Sequence, residues 1–418
     1  MNQYGGDLCP AYLSPLLNIA NCHMVEFLTQ KHWDNLLPPS LRESLEGLEM
    51  NEAVEQFWSA AGSQEIKGKN FLDVFEIVSH KLVFAAMSRI SVLRILKKVF
   101  VVQVQTMSRL VASLHSACGA SCCVEAGGGR GQLPVLLCLA YQLPSLTLDC
   151  DAAAVAAAPA RILIIQVSSG SSCCVEAGGC RCCCAWPTSC RASPFFPGLH
   201  TCGNLGPDSL RIFTTQPSTA AVFNVPCCYH LLTETIDVNT FDVFQRDYGS
   251  GGTIETSQGF PMSEYLRGYN LGRNARMLAA QSIDRVVDQK QLPSKSLLYR
   301  AMLQVSLHPR KQNIHEKITP KCQTFQQYFK MADEILKLEL FDSLPASYLT
   351  DIEKNIDCQW KKLVLFYLLR LCLAQVIESL ILLDRLMYLF ENGFNKCYLV
   401  KLFDPVLSPR CHSIVAVR

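Results

Sequence analysis

The residues best suited to chemistry lie between Val124 and Gly131, reading Val-Glu-Ala-Gly-Gly-Gly-Arg-Gly. An apolar run, Cys122 to Val124, meets an acidic residue, Glu125, and then glycines at alternate positions, Gly127, Gly129 and Gly131. This is the pattern of a first strand turning tightly into a helix, with glycines where the backbone passes so close to a bound group that a Cβ would collide with it. Asp149 lies eighteen residues beyond Gly131, at the end of a second apolar segment. A carboxylate there accepts hydrogen bonds from a ribose diol. The spacing E-x-G-x-G-x-G differs from the dinucleotide fingerprint G-x-G-x-x-G, and an acid two positions ahead of the first glycine repels phosphate. It suits a cationic or zwitterionic nucleoside cofactor, and S-adenosylmethionine fits. In that assignment Glu125 orients the loop or meets the cofactor's amino group, Gly127, Gly129 and Gly131 admit its methionine part, and Asp149 holds its ribose hydroxyls.

A second set of candidates sits at the ends of two later apolar runs. Phe195 to Leu205 carries His200, Cys202, Gly203 and Asn204, and Ala220 to Tyr229 carries Cys227, Cys228 and Tyr229, with His230 next. Side chains at the carboxyl ends of parallel strands face the cofactor crevice of an open α/β sheet. The bland reading is a set of buried, satisfied strand-end residues. The functional one is an acceptor side for methyl transfer, which needs positioning and, for a hydroxyl or protonated amine, a nearby base. His200 or His230 would be that base, and Tyr229 would stack on a nucleobase. A Cys/His metal site is a third option, but the spacing is not that of a recognised metal motif and no metal is expected.

The elements that position these groups follow from apolar periodicity. Residues 1–110 read as helical, with Ser40 and Glu43 as a capping box and apolar residues at Leu41, Leu45, Leu48 and Met50. Their expected role is a cap that packs on the core or gates the pocket. The core spans 111–234: a strand at Cys122–Val124, a helix at Gln132–Gln142, a strand at Ser145–Asp149, a helix at Ala152–Ala160, a third strand within Arg161–Val167, and the two strands ending in the histidines and cysteines. Within it, 169–197 is anomalous. Ser172 to Gly179 repeats Ser121 to Gly128 residue for residue and then runs into Cys180-Arg181-Cys182-Cys183-Cys184. Cysteines replace the later loop glycines, so this copy should bind no cofactor, and a surface loop is expected. Residues 235–395 read as a mostly helical insertion, with helices at Asn274–Val287, Ser294–Val305, Phe325–Leu340 and Leu363–Phe390. Two β-rich runs, Tyr398–Phe403 and Cys411–Val417, then make a closing hairpin at 396–418.

Composition sets outer bounds. Hydrophobic residues make up 49% and charged residues 18% of the chain, which argues for a well-buried globular protein rather than a disordered one. The 22 cysteines include adjacent clusters such as Cys182-Cys183-Cys184, unsuited to an orderly disulfide framework, so a reducing, intracellular setting, cytoplasmic or nuclear, is expected. The most membrane-like stretch, Leu363 to Leu389, holds Arg370, Glu378, Asp384 and Arg385 and reads as a buried amphipathic helix, with no membrane partner. Residues 264–330 carry twelve basic and four acidic side chains. Arg267, Arg273, Arg276, Arg300, Arg310, Lys311, Lys317 and Lys321, with Tyr265, Tyr269 and Tyr299, are either a solvated face or an RNA-binding surface, and Arg273 and Arg276 are candidates on the substrate side.

Several stretches carry a resemblance. Gly-Leu-His-Thr-Cys-Gly-Asn-Leu (198–205), Cys-Cys-Tyr-His-Leu-Leu-Thr-Glu (227–234), Gly-Phe-Pro-Met-Ser (259–263), Gly-Arg-Asn-Ala-Arg-Met (272–277), Leu-Ile-Leu-Leu-Asp-Arg-Leu (380–386) and the segment 399–411 are similar to the methyltransferase-like protein 25 family. More distantly they resemble tRNA ribose methyltransferases. The resemblance implies an α/β fold of class I, Rossmann-like type: a seven-stranded methyltransferase sheet with an N-terminal helical region and a helical insertion before the last two strands. It also implies S-adenosyl-L-methionine as cofactor, and RNA is favoured over protein as acceptor. The alternative is a catalytically inactive methyltransferase-fold protein that binds partners or RNA.

Overall fold

A computed structural model describes residues 10–62, 98–129, 131–149, 193–238, 259–307, 322–337 and 339–418, with short pieces between 245 and 254. The expected helix at Ala152–Ala160, third strand within Arg161–Val167 and cysteine-rich repeat lie outside the described residues, as does all of 63–97.

The sheet forms around strands β1 (Cys122–Ala126), β2 (Ser145–Leu148), β3 (Pro194–Cys202) and β4 (Ala221–Cys227). These four are parallel, in the spatial order β2-β1-β3-β4. The chain then leaves the sheet, makes a two-stranded ribbon of β5 (Ile236–Asp237) and β6 (Thr253–Ile254), and returns with β7 (Cys397–Lys401) and β8 (His412–Val417). Strand β8 inserts antiparallel beside β4, and β7 pairs antiparallel on its far side, so the expected closing hairpin is present. Six strands of the expected seven are therefore described in this sheet.

Alternation along the strands explains the layering. Phe223 and Val225 of β4 join Cys123, Phe195 and Val415 in one core with Val104, Met107 and Val111 of the helix Lys98–Ala117 and Leu133 and Leu137 of the helix Gln132–Tyr141. Val222, Ile414 and Ala416 point the other way, onto Leu210 and Phe213 of the helix Leu205–Thr215 and onto Leu382, Leu386 and Leu389. Strand β4 is buried at every position, as a central strand covered on both faces must be.

By contacts the chain forms two compact units. The unit with the sheet draws on Lys67–Asp237, Thr253–Arg285 and Val376–Arg418; the other draws on Met1–Ile66, Val238–Gly252 and Val286–Gln375. The second unit is helical around an aromatic core that includes Phe27, Trp33, Phe325, Tyr328, Phe329 and Phe366. In it, Arg370 donates to the carbonyls of Ile19 (3.0 Å) and Ala20 (2.8 Å). The N-terminal helices and much of the insertion thus share one core, an arrangement that order along the chain does not reveal.

Three local expectations are corrected. The helix Pro39–Glu46 starts on Pro39, whose fixed φ suits a first helical turn, so Ser40 lies inside the helix and caps nothing. The helix expected over Asn274–Val287 is two short ones, Arg273–Leu278 and Ile283–Asp288. The long apolar helix runs Ile356–Glu391, and its apolar residues surround it rather than forming one stripe. By length and composition it would pass for a membrane span, yet 56% of its most apolar window is buried within the protein.

The sheet unit also holds a buried ion pair. Glu234 accepts from the amides of Leu271 (2.7 Å) and Gly272 (3.0 Å) and from Arg276 Nε (3.0 Å), while Arg276 Nη1 donates to the carbonyls of Tyr229 and Leu232. Removing one member of such a pair leaves a buried charge unanswered. Arg276→Met is expected to lower unfolding free energy by about 3–5 kcal/mol in urea melts. Adding Glu234→Gln should recover part of that loss, and a double variant no better than the single would contradict this account.

Candidate functional site

The loop after β1 has the shape its glycines require. Gly127, Gly129 and Gly131 have φ of 71°, 54° and 64°, the left-handed region in which a Cβ is strained. The Gly127 amide extends the β1–β2 ladder to Leu148 O at 2.7 Å, and the Gly131 amide closes on Gly128 O at 2.9 Å. The Gly129 amide donates to Asp149 Oδ2 at 2.7 Å. Asp149, expected to hold a ribose, thus also fixes the loop. A Cβ on Gly128 would lie 2.0 Å from Thr147 Oγ1 and 2.5 Å from Glu125 Oε2, so the loop's middle glycine is needed for packing.

A cavity of about 290 Å³ opens beside this loop, lined by Glu125, Gly127, Gly128, Gly129, Gln132, Leu133, Leu199 and His200. It lies near the lower end of the roughly 300–1,000 Å³ typical of small-molecule sites. A larger depression, about 600 Å³, lies among Asp333, Glu334, Lys337, Glu339, Asp342 and Ser343 in the helical unit, and no candidate residue lines it. We place the site at the smaller cavity, because there a glycine loop, a buried acid and a histidine meet.

Glu125 is 3% exposed, and its Oε2 has no hydrogen-bond partner among the described residues. Burial pushes its carboxyl up to about 8; the Leu199 amide opposes this and the charge of Asp149 adds to it. Gln132 Oε1 is likewise buried without a partner among the described residues. Gln132, Leu133 and Leu199 were not singled out from the sequence. Their signal is positional: the first turn of the helix after the glycines, and the residue before His200 on β3.

Strand β3 ends irregularly. Its pairing with β4 shifts between Leu199 and Thr201, and the residue between, His200, has φ of 67°. That irregularity brings His200 to the cavity wall, as bulges beside functional sites commonly do. Burial lowers its basicity, and Arg410 lowers it further, so the ring is neutral near pH 7. Beneath it, Thr201 Oγ1 donates to Asn224 Oδ1 and ties β3 to β4.

Two residues on, Cys202 Sγ lies 3.0 Å from Cys227 Sγ, its register partner on β4. Cys228 completes the group, with all three sulfurs within 4.8 Å of one another. The Cys227 contact draws the Cys202 thiol down to about 6, while the same contact and burial push Cys227 upward.

The remaining candidates separate. Tyr229 is fully buried and donates to Glu378 Oε1 at 2.9 Å, so its ring presents no stacking face to an acceptor. Arg276 is committed to Glu234, whereas Arg273 is exposed. Asn204 donates to Thr233 Oγ1 at 2.7 Å and accepts from the Thr233 amide at 3.0 Å. Gly203 has φ of 52°, and a Cβ there would press on Leu231. His230 is half-buried with Nδ1 unpartnered among the described residues, and burial followed by Arg273, Arg276 and Arg410 lowers its basicity.

Residues 99–235 match the sequence model of a family described as a methyltransferase domain. A protein of Mus musculus named probable methyltransferase-like protein 25 is 40% identical over 231 residues, covering 53% of this chain and 37% of that protein. Its Homo sapiens counterpart is 40% identical over 230 residues, covering 53% of this chain and 36% of that protein. The matched region thus spans little more than a third of either relative. No solved structure matches the chain.

Glu125 makes a pH signature. Between its ordinary value of 4.5 and about 8 the folded protein keeps a proton that the unfolded chain has released, so stability falls as pH rises through that window. Glu125→Gln removes this slope. Without added ligand, the variant's melting temperature should match wild type near pH 5 and exceed it near pH 8. Curves that stay parallel across the window would show that Glu125 is not held protonated.

Proposed function

We propose that this chain binds S-adenosylmethionine beside the β1 loop and catalyses methyl transfer, with RNA favoured over protein as the acceptor. The observation that carries the reading is the loop itself: left-handed glycines, the Gly129 amide held on Asp149, and a buried acid on the wall of one cavity.

The residues present fit that cofactor. A Cβ built on Gly129 would meet nothing nearer than 4.0 Å, so the loop faces open space. Glu125 supplies a carboxylate with one buried oxygen unanswered among the described residues, the complement of an ammonium group. A cation beside it would offset the burial that keeps it protonated, so binding and proton release would be linked. Asp149 and the glycine loop would hold the ribose and methionine parts. The cofactor, when bound, would supply an electrophilic methyl group on a positively charged sulfur.

The chain's own groups account for the rest. His200 is neutral and lines the cavity, and it would take the proton from an acceptor hydroxyl or amine. Arg273, exposed and acting on His230, makes the neighbouring side attractive to a phosphate-bearing acceptor. This supports RNA, although Arg276 and Arg285 of the basic segment are occupied within the fold.

Isothermal titration of the purified chain with S-adenosylmethionine tests the cofactor. Asp149→Ala and Gly129→Val should each weaken binding at least about tenfold, near 1.4 kcal/mol. Absent binding, or binding unchanged in both variants, would refute the site and leave an interaction protein on a methyltransferase fold. Where binding is seen, transfer of tritiated methyl to total RNA against total protein names the acceptor class. Label in protein alone would overturn the RNA assignment.

A further inference from the structure

Beyond methyl transfer, the ends of β3 and β4 carry a group of thiols that the proposed activity does not use. Cys202, Cys227 and Cys228 bring three sulfurs within 4.8 Å of one another. Adjacent residues on a strand point to opposite faces, so Cys227 and Cys228 would ordinarily diverge. Here Cys228 takes a left-handed conformation, φ 50° and ψ 48°, which turns its side chain back towards Cys227. A non-glycine residue is strained there. Glycine would relieve that strain but offer no sulfur.

A buried charge points the same way. Arg385 is fully buried, and its Nε and Nη1 find no acceptor among the described residues. Tyr229, Asp384 and Cys227 are the groups whose charges would favour its cation. A buried guanidinium calls for a nearby anion. Three thiolates around one divalent ion carry a net charge of about −1, a charge of the sign that favours this cation.

We propose that Cys202, Cys227 and Cys228 form a zinc site that clamps the carboxyl ends of β3 and β4. Zinc–sulfur bonds of about 2.3 Å in tetrahedral geometry set sulfurs roughly 3.8 Å apart. The observed spacings, 3.0 Å at the closest and 4.8 Å as the upper limit, bracket that value. On binding, the thiol protons leave to solvent and each sulfur donates a lone pair to the metal. Among the described residues no histidine or carboxylate joins the group, so the fourth position is open to an exchangeable ligand, the form zinc takes where it binds water or substrate. Cys202 is exposed, which gives the ion a route in. The site stands independently of the cofactor assignment.

Elemental analysis of the full chain, purified without chelator, tests this. Wild type should hold one zinc that Cys202→Ser and Cys228→Ser each lose. Both positions are at least partly exposed, and thermal melting of each variant confirms that it folds. Because the chain has other cysteines, a variant with serine at Cys180, Cys182, Cys183 and Cys184 serves as control and should keep the metal. Cobalt(II) added to metal-free protein should give thiolate charge-transfer absorption that Cys202→Ser abolishes. Zinc content equal in wild type and both single variants, or no binding of zinc or cobalt by wild type, would overturn the proposal. So would a Cys202–Cys227 disulfide in metal-free protein purified under reducing conditions.

Discussion

The site depends on one hydrogen bond, from the Gly129 amide to the Asp149 carboxylate. Three glycines in four described loop positions adopt left-handed backbone, and glycine gives up more conformational freedom on ordering than any other residue. Something must hold such a loop in one shape. A hydrogen bond to a charged acceptor contributes about 1.5–3 kcal/mol, more than a neutral one. It also joins the ends of β1 and β2, whose ladder has just closed through Gly127 and Leu148. Once it is made, the cavity wall and the start of the helix at Gln132 follow.

Deeper in the same unit, charges inside the protein do comparable work over longer stretches of chain. Asp384 accepts from the amides of Met262 (2.7 Å) and Ser263 (2.9 Å) and from the Ser263 hydroxyl. Glu378, raised to about 7 by burial, accepts from Tyr229. Both acids lie on the helix Ile356–Glu391, which precedes the closing hairpin, and their partners follow β4. The excursion between β4 and β7 is long, and closing it costs entropy that grows only slowly with length. Greasy contacts alone would tolerate a helix slid by a turn, whereas a buried acid out of register loses every bond it makes. We read these acids as what sets the register in which β8 meets β4.

Legibility from sequence followed how local the determining physics is. The glycine loop, Glu125 and Asp149 were readable because backbone sterics and strand–loop–helix order are properties of a short segment. Strands β1 to β4 and the closing hairpin were readable from apolar runs for the same reason. What escaped depends on distant partners. Tyr229 and Arg276 sit among candidate residues in sequence, yet their hydroxyl and guanidinium turn inward because Glu378 and Glu234 wait there. The union of N-terminal helices with much of the insertion rests on contacts such as Arg370 with Ile19, far apart along the chain. Pro39 was the exception, a local signal that outranked the Ser40–Glu43 pattern because a proline ring sets the first turn.

The left-handed residues at the strand ends separate packing from function. Gly203 needs that conformation and has no side chain to spare, since a Cβ would press on Leu231. His200 and Cys228 adopt it with side chains in place. Such residues persist only where the surroundings over-determine them, and they collect at functional sites. One presents an imidazole to the cavity and the other returns a thiol to its neighbours. A fold that needed only to turn the chain at these points would do so more stably with glycine. The strain at His200 and Cys228 therefore argues that the side chains, not the turns, are what these two positions provide.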